Sequence, residues 1–579
     1  MDDDFRHSLR RATRQQDVVW PLRLLHIPSM SSMERKDYLA MGPPQYAILT
    51  YTWGRFRAPA GCPALTVAGT TWKIPPVQEE VISVDAFERV IQHIGSQHEW
   101  LWLDIACIDQ ENESVKMREV ARQVNIFHGA SEAFAWLHSL DADESAKYVS
   151  FLERVATYDA LGEEHVWTCA SEALRVEQSL GYYQTHLDAI EEALRLLFTD
   201  PWFTSLWALQ ESNLRPNAVL LSTNGEPILY PQEKGAEKKP CRVSLLNSWC
   251  EAIWRDLNHY ISRKILTPED HDKAAQIMAL IESVGFNFPS SVNPNVQCSA
   301  ARFRETSSLL DRIYGITSIY YSVLPETFQL PSPSQLPDTD EVAKLERLEF
   351  IFASALNTAS PWLGQCFIHL ERHRPGQSWM ITQNIHVPIY LQDFDTKGRV
   401  RVEGRVVTSA AGHATASGMA CPLKALWIYW EKMLENHHAA FQGARRPYRF
   451  AVAYDHDLSE IMAIHASGPI LEGIDRALQD PESKFRVTLS LLKKYSPENL
   501  YVLALGSTRE GKVRVDFLKT RLKAVLMNQI LHGGCNGRCA PFGTAIGNFW
   551  GLFFCAMVRG PGGELEYVRG LICQTQGMT

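Results

Sequence analysis

The sequence predicts an α/β fold for the N-terminal part of the chain, in which a parallel-rich sheet is flanked by helices. Short runs rich in β-branched and aromatic residues are typical of buried strands, and segments with apolar residues every three or four positions separate them. Such alternation is typical of a mainly parallel sheet with right-handed crossovers. We expect a helical region and then a mixed α+β region to follow.

Local patterns predict the individual elements. Ser83 is a suitable N-cap for a helix that ends at Gly95 and carries its apolar residues on one face. A second helix is predicted from Asn112 or Ser114 to Gly129. Strands are predicted at residues 22–27, 46–51, 100–105 and 133–137, with a small hairpin at 65–73.

Composition and charge narrow the class of protein. Of 579 residues, 45% are hydrophobic and 21% are charged, which excludes global disorder. The 57 Lys and Arg residues are outnumbered by 66 Asp and Glu residues, for a net charge of −9, so we expect no nucleic-acid partner. Mostly scattered cysteines, the lack of an apolar leader and the lack of a long apolar run predict a cytoplasmic protein without a membrane span.

The chain is predicted to fall into several parts. The clearest linker signal is the proline-rich segment at 325–340, which has few residues able to build a core. We expect an N-terminal tail at 1–20, the α/β domain at 21–215, a helical extension at 240–324, this linker, and a C-terminal α+β region at 341–579.

Four segments in order resemble the fungal heterokaryon-incompatibility (HET) domain. They are YAILTYTWG at 46–54, LWLDIACIDQ at 101–110, the segment from 120 that ends in AFAWL at 133–137, and DPWFTSLWALQE at 200–211. The core motifs therefore span 46–211. The resemblance implies a fungal allorecognition protein and programmed-cell-death effector that responds to other incompatibility or receptor proteins, or to self-association.

A shorter resemblance within the same domain is to TIR domains. Residues 205–211 (SLWALQE) are similar to the TIR helix whose glutamate supports cleavage of NAD at the nicotinamide–ribose bond, and YAILTY is similar to the TIR opening strand. This resemblance implies a TIR-like or flavodoxin-like sheet, with NAD as a substrate and no bound cofactor.

Glu211 is the candidate catalytic residue. Loss of nicotinamide leaves an oxocarbenium-like ribose, so a hydrolase of this kind requires a carboxylate beside the sugar and an apolar wall. Trp207 precedes Glu211 by one helical turn, so its ring is a candidate to position a flat base. The structural alternative is that Trp207 belongs to the core and Glu211 pairs with Arg215.

Candidate ligand-binding residues follow two predicted strands, because ligands of open α/β sheets gather at the carboxyl ends of the strands. Asp104 and Gln110 follow one strand; Tyr51, Trp53 and Gly54 follow the other. A carboxylate in so apolar a run requires a partner or a function. The structural alternative for Asp104 is a cap that accepts backbone N–H groups, and for Trp53 a role in stabilising the fold.

The remaining reactive residues favour no further chemistry. Cys107 has no nearby base in the sequence and is predicted to be buried packing. His532, Cys535 and Cys539 have spacing suited to zinc but lack an evident fourth ligand, so we predict no metal site. Two functional hypotheses stay open: an effector enzyme that cleaves NAD, and a non-enzymatic signalling or protein-interaction module of the same pathway.

Overall fold

The computed structural model describes most of the chain up to residue 387 and isolated strands beyond residue 399. The described N-terminal part comprises residues 20–387 without 159–178, 232–237, 288–292, 362, 366, 372–376 and 378. The predicted tail therefore lies outside the described residues except for Trp20. The boundaries predicted between the parts of the chain stay predictions.

A six-stranded sheet forms the centre of the N-terminal region. Its strands are β1 (Arg23–His26), β2 (Ser31–Glu34), β3 (Tyr46–Thr50), β4 (Trp100–Trp102), β5 (Glu132–Trp136) and β6 (Val219–Leu221). Their spatial order is β2-β1-β4-β3-β5-β6. Strands β4, β3, β5 and β6 are parallel, whereas β1 and β2 are antiparallel additions at one edge. The predicted parallel-rich sheet is confirmed.

The direction of the chain connections reverses at the centre of the sheet, between β3 and β5. All five residues of β3 are buried, and the strand lies between β4 and β5. The chain leaves β3 towards β4 on one side, and it leaves β5 towards β6 on the other. Connections that diverge in this way open a crevice at the carboxyl ends of the two strands, where open α/β sheets bind ligands.

Helices flank the sheet, as predicted. Ser83 caps the first long helix by accepting a hydrogen bond from the Ala86 N–H at 3.1 Å. Asn112 caps a later helix through the Val115 N–H at 3.2 Å. The helices of this part are α1 (Arg35–Ala40), α2 (Val84–Gly95), α3 (Asp104–Cys107), α4 (Glu113–Val120), α5 (Gln123–Gly129) and α6 (Ala142–Ala156).

Three sequence expectations in this part are wrong in detail. The strand expected at 100–105 ends at Trp102, and helix α3 begins at Asp104. The single helix expected up to Gly129 is divided into α4 and α5 at residues 121–122. The hairpin expected at 65–73 does not form, because Ala68 pairs instead with the chain around β2: its carbonyl accepts from the Ser32 N–H at 2.8 Å, and its N–H donates to the Met30 carbonyl at 2.9 Å.

A second group of helices completes the fold. Helix α7 (Leu180–Leu197) ends before Asp200, whose Oδ1 accepts a hydrogen bond from the Trp202 N–H at 2.9 Å. A 3₁₀ helix (Pro201–Thr204) and helix α8 (Leu206–Leu214) follow directly. The later elements are β7 (Leu229–Pro231), β8 (Lys238–Pro240), α9 (Val243–Arg263), α10 (Pro268–Ser283), α11 (Pro294–Ala301), α12 (Asp311–Thr317), α13 (Glu341–Ala359), β9 (Ile368–His369) and β10 (Ile385–His386).

The proline-rich segment at 325–340 contacts the α/β region. The Ser334 N–H donates to Glu113 Oε1 at 2.9 Å, and the Pro331 carbonyl accepts from the Tyr314 hydroxyl at 2.6 Å. Leu336 is buried. These contacts fix the segment against helices α4 and α12.

Beyond residue 399 the described elements are strands. They pair in antiparallel fashion, and the longest of the described pairings joins Trp550–Arg559 to Leu565–Gln576. The strands are β11 (Val400–Val402), β12 (Arg405–Thr408), β13 (Ala414–Ser417), β14 (Ala420–Pro422), β15 (Tyr448–Tyr454), β16 (Tyr501–Leu503), β17 (Gly506–Thr508), β18 (Trp550–Arg559) and β19 (Leu565–Gln576).

Candidate functional site

The last residue of β3 connects two parts of the chain through its hydroxyl group. Thr50 Oγ1 accepts a hydrogen bond from the Trp202 indole N–H at 3.0 Å and donates to Glu211 Oε2. Thr50 and Trp202 are both buried. A hydroxyl group that accepts from an indole directs its own proton to the next acceptor. The side chain of Glu211 is therefore oriented by a fixed donor.

Glu211 lies on α8 and is half-buried. Burial raises the pKa of its carboxyl group to about 8; the hydrogen bond from Thr50 opposes this shift, and the charge of Asp104 adds to it. The second carboxylate oxygen accepts no hydrogen bond from a described residue and is not fully buried. Glu211 thus combines a dense, poorly solvating environment with one oxygen that has no hydrogen-bond partner among the described residues.

Asp104 is the first residue of α3 and follows β4 by one residue. Its Oδ1 accepts from the Tyr51 hydroxyl and from the Ile105 N–H, each at 2.7 Å, and its Oδ2 accepts from the Trp53 indole. Burial raises the pKa of this carboxyl group, and the three hydrogen bonds oppose the shift. One of the three donors is a backbone N–H, as the structural alternative expected, but Asp104 does not cap α3, because the N-cap position is Leu103 and no side chain caps this helix.

The two carboxylates lie close to each other because adjacent residues hold them. Thr50 contacts Glu211, and Tyr51 contacts Asp104. The negative charge of each carboxylate makes it harder for a neighbouring acid to lose its proton. Burial is the main cause of the raised pKa values of Glu211 and Tyr51; Asp104 raises the pKa of Glu211 further, and both carboxylates raise that of the Tyr51 hydroxyl. Asp104, Glu211, Tyr51 and Trp53 thus form one group, which we call the carboxylate site.

The three other candidate ligand-binding residues are not part of this group. Gln110 donates from Nε2 to the backbone carbonyl of Asp104 at 3.2 Å, so it supports the α3 turn. Gly54 begins a 3₁₀ helix at 54–56, and a Cβ atom at this position would meet no atom within 4 Å. Trp207 donates its indole N–H to Asp311 Oδ2 at 3.0 Å. The indole N–H of Trp207 thus contacts α12, and its ring is half-buried against the core, so its role as a ligand contact stays a prediction.

The predicted alternative partner of Glu211 lies one helical turn away but does not pair with its carboxylate. Among the described residues, the Glu211 carboxylate makes no ion pair with Arg215; the contact between these residues is the backbone bond of one helical turn, at 2.8 Å. Cys107 is buried as predicted, and burial raises the pKa of its thiol to about 12, so it stays protonated at neutral pH.

Sequence reasoning missed the residues that hold α8 in place. Arg304 is buried and donates from Nη1 to the carbonyls of Trp202 (3.2 Å) and Ser205 (3.3 Å), and from Nη2 to that of Val284. Next to it, Glu305 exchanges backbone hydrogen bonds with Thr204 and Leu206, at 2.7 and 3.0 Å. No local pattern marks these residues, because their partners lie about one hundred positions earlier.

The geometry defines an α/β domain with two interacting carboxyl groups at the carboxyl ends of neighbouring parallel strands. Residues 46–211 of this domain match the family model described as heterokaryon incompatibility protein (HET), which confirms the resemblance in the sequence. The match supports a role in heterokaryon incompatibility. It does not confirm the TIR resemblance. No curated protein and no solved structure matches the chain.

The described residues include neither a cluster suited to a metal ion nor a helix suited to a membrane. Among the described residues, no group of three or more His, Cys, Asp or Glu side chains is arranged to hold a metal ion. His532, Cys535 and Cys539 lie outside those residues. No described helix has the length and apolar character needed to cross a membrane.

Proposed function

We propose that this protein is a fungal allorecognition and programmed-cell-death effector that cleaves NAD at the nicotinamide–ribose bond, with Glu211 as the catalytic carboxylate. The observation that carries the proposal is the state of Glu211. Thr50 fixes one carboxylate oxygen of Glu211, and the other oxygen has no hydrogen-bond partner among the described residues. Burial of the carboxyl group disfavours its negative charge. A site of this kind favours a ligand that brings positive charge.

The proposed reaction requires such a ligand. The nicotinamide ring of NAD is cationic, so binding it beside Glu211 lowers the pKa of the carboxyl group and ionises it. The C1′–N bond then breaks and its electron pair passes to the ring nitrogen, which leaves neutral nicotinamide. Positive charge develops on the ribose, where the carboxylate stabilises it. Water attacks C1′ and loses a proton, which gives the ADP-ribose product.

Asp104 supports the proposed site by position and charge. Its oxygens are occupied by Tyr51, Trp53 and the Ile105 N–H, so we assign it no direct contact with the reacting atoms. Its negative charge contributes to the field that favours a cation next to Glu211. In the proposal, Tyr51 and Trp53 hold Asp104 and form the wall of the site.

A second candidate function is a non-enzymatic interaction module for other incompatibility or receptor proteins, or for a second copy of the chain. The observation that favours it is the use of the aromatic residues. Each indole N–H donates a hydrogen bond within the fold: that of Trp202 to Thr50, that of Trp53 to Asp104, and that of Trp207 to Asp311. In that case the polar contacts stabilise the fold, and partners bind elsewhere.

An assay of nicotinamide release by the concentrated, purified full chain distinguishes the two functions. We expect Glu211→Gln to fold and to lose about 100- to 1000-fold in rate, the effect of removing one preorganised electrostatic contact. Glu192→Gln, which alters an exposed residue of α7, is the matched control and should retain full activity. Expression of the same variants in a fungal cell relates NAD loss to toxicity.

If the unmodified protein and the folded Glu211→Gln variant are equally toxic and neither releases nicotinamide, the interaction module replaces the enzyme as the proposed function. If both release nicotinamide at the same rate, Glu211 has no catalytic role.

A further inference from the structure

A cavity of about 230 Å³ lies in the helical region, and none of its lining residues belongs to the carboxylate site. Helices α9, α10 and α11, together with β10, supply its walls. Its polar lining residues are Asn258, Glu282, Asn287, Ser299, Arg302 and His386, and its aromatic ones are Trp254 and Phe303. The carboxylate of Glu282 and the guanidinium group of Arg302 are each costly to remove from water unless they are paired or hydrogen-bonded.

Glu282 keeps one carboxylate oxygen for the cavity. Its Oε1 accepts a hydrogen bond from the Trp254 indole at 2.9 Å, which fixes the side chain against α9. Its Oε2 accepts none from a described residue and is not fully buried. Burial raises the pKa of this carboxyl group, while the Trp254 bond and the charge of Arg302 oppose the shift. A cation bound at Oε2 would stabilise the negative charge of Glu282, which burial disfavours.

Arg302 likewise keeps donors for the cavity. Its Nη1 donates to Ser299 Oγ at 2.9 Å and to the Ile385 carbonyl at 2.8 Å, and its guanidinium group lies over the Phe303 ring at 4.3 Å. Its Nε and Nη2 groups make no hydrogen bond with the residues that the structure describes. One edge of a guanidinium fork is the arrangement that binds a carboxylate by two hydrogen bonds.

The two charges influence each other without touching. Each shifts the pKa of the other, yet within the described part of the chain they form no ion pair. His386 adds no third charge at neutral pH, because burial and the charge of Arg302 lower its pKa to about 4. The cavity therefore holds one positive and one negative group, separated by space and each with hydrogen-bonding capacity to spare.

We propose that this cavity binds a small zwitterion with the charge pattern of a free α-amino acid. The ligand carboxylate would bind the Nε and Nη2 edge of Arg302, and its ammonium group would bind Oε2 of Glu282 and face the Trp254 ring. Asn258 and Asn287 supply amide groups for a polar side chain. The proposal does not depend on the function assigned to Glu211, since the two sites share no residue.

Thermal unfolding of the full chain with each standard L-amino acid, followed by calorimetry of any that bind, tests the proposal. Because the ligand would join α10 to the residue after α11, we expect at least one amino acid to raise the melting temperature saturably by about 2 to 4 °C. The matching amine without its carboxylate, and the matching acid without its ammonium group, should each bind at least tenfold more weakly.

Variants assign binding to this cavity. Glu282→Gln keeps an acceptor for Trp254 and should weaken the binding of the amino acid at least about tenfold. Glu269→Gln, at an exposed position of the same helix, is the matched control and should bind normally. If Glu282→Gln does not fold, Asn258→Ala replaces it, with weaker binding again expected.

The proposal is overturned if no amino acid binds to the folded chain. Equal binding by the amine or the acid alone, or unchanged affinity in the folded Glu282→Gln variant, would overturn it as well.

Discussion

Replacing Glu211 with glutamine should remove a specific dependence of stability on pH. In the folded chain the carboxyl group has a pKa of about 8, whereas a glutamate in the unfolded chain titrates near its ordinary value. The folded state therefore holds a proton that the unfolded state has lost. Stability from this group is fully present below the unfolded pKa and is lost as the pH rises through the folded pKa.

The size of the effect follows from the two pKa values. As the pH rises from 5 to 8, Glu211 ionises in the unfolded chain but stays largely protonated in the folded chain. This difference should lower the free energy of unfolding by about 3 kcal/mol. Denaturant unfolding at several pH values measures it in the unmodified protein and in Glu211→Gln. Because every other titrating group is shared, the difference between the two curves isolates Glu211. Parallel curves across this range would refute the assignment of a raised pKa to Glu211.

Three further predictions concern neighbouring features. If Glu211 acts as a carboxylate, kcat/KM for NAD should rise with pH up to about 8, and Asp104→Asn should move that rise to lower pH by removing a nearby charge. Arg304→Met should lower the free energy of unfolding by at least about 3 kcal/mol, because buried carbonyls lose their donor, while Arg347→Met on the exposed face of α13 should have little effect in the same denaturation assay. Gly69→Ala should destabilise by more than about 1 kcal/mol, since Gly69 has a φ of +76° and its Cβ would lie 2.6 Å from the Ser32 carbonyl oxygen; Gly42→Ala, also at positive φ but with open space, gives the cost of the backbone alone.

The central strands could be predicted from the sequence because burial on both faces leaves a simple pattern. YAIL and WLW are apolar throughout, as is typical of strands that are covered on both faces. Strand β2 was not predicted, since its sequence SSME is short and polar and it forms by pairing with β1 at the edge of the sheet. Edge strands depend on a partner more than on their own side chains.

The candidate site was predictable in its location but not in its contacts. The carboxyl ends of β3 and β4 follow from the fold class, so Tyr51 and Asp104 could be placed on one rim. The hydrogen bond between Thr50 and Glu211 joins residues 161 positions apart, and no local pattern encodes it. The interpretation of Trp207 as a wall for a bound base relied on helical spacing alone, and spacing does not reveal that Asp311 takes its indole N–H.

The segment that matches the HET family depends on residues outside it, because Arg304 and Glu305 support α8. The segment that matches the HET family ends at residue 211, whereas the groups that satisfy the carbonyls of Trp202 and Ser205 lie almost one hundred residues later. A gene rearrangement that joined residues 46–211 to an unrelated sequence would separate the helix from its donors. The new sequence would have to supply other donors for these buried carbonyls, so we expect residues 46–211 alone to fold less stably than the full chain.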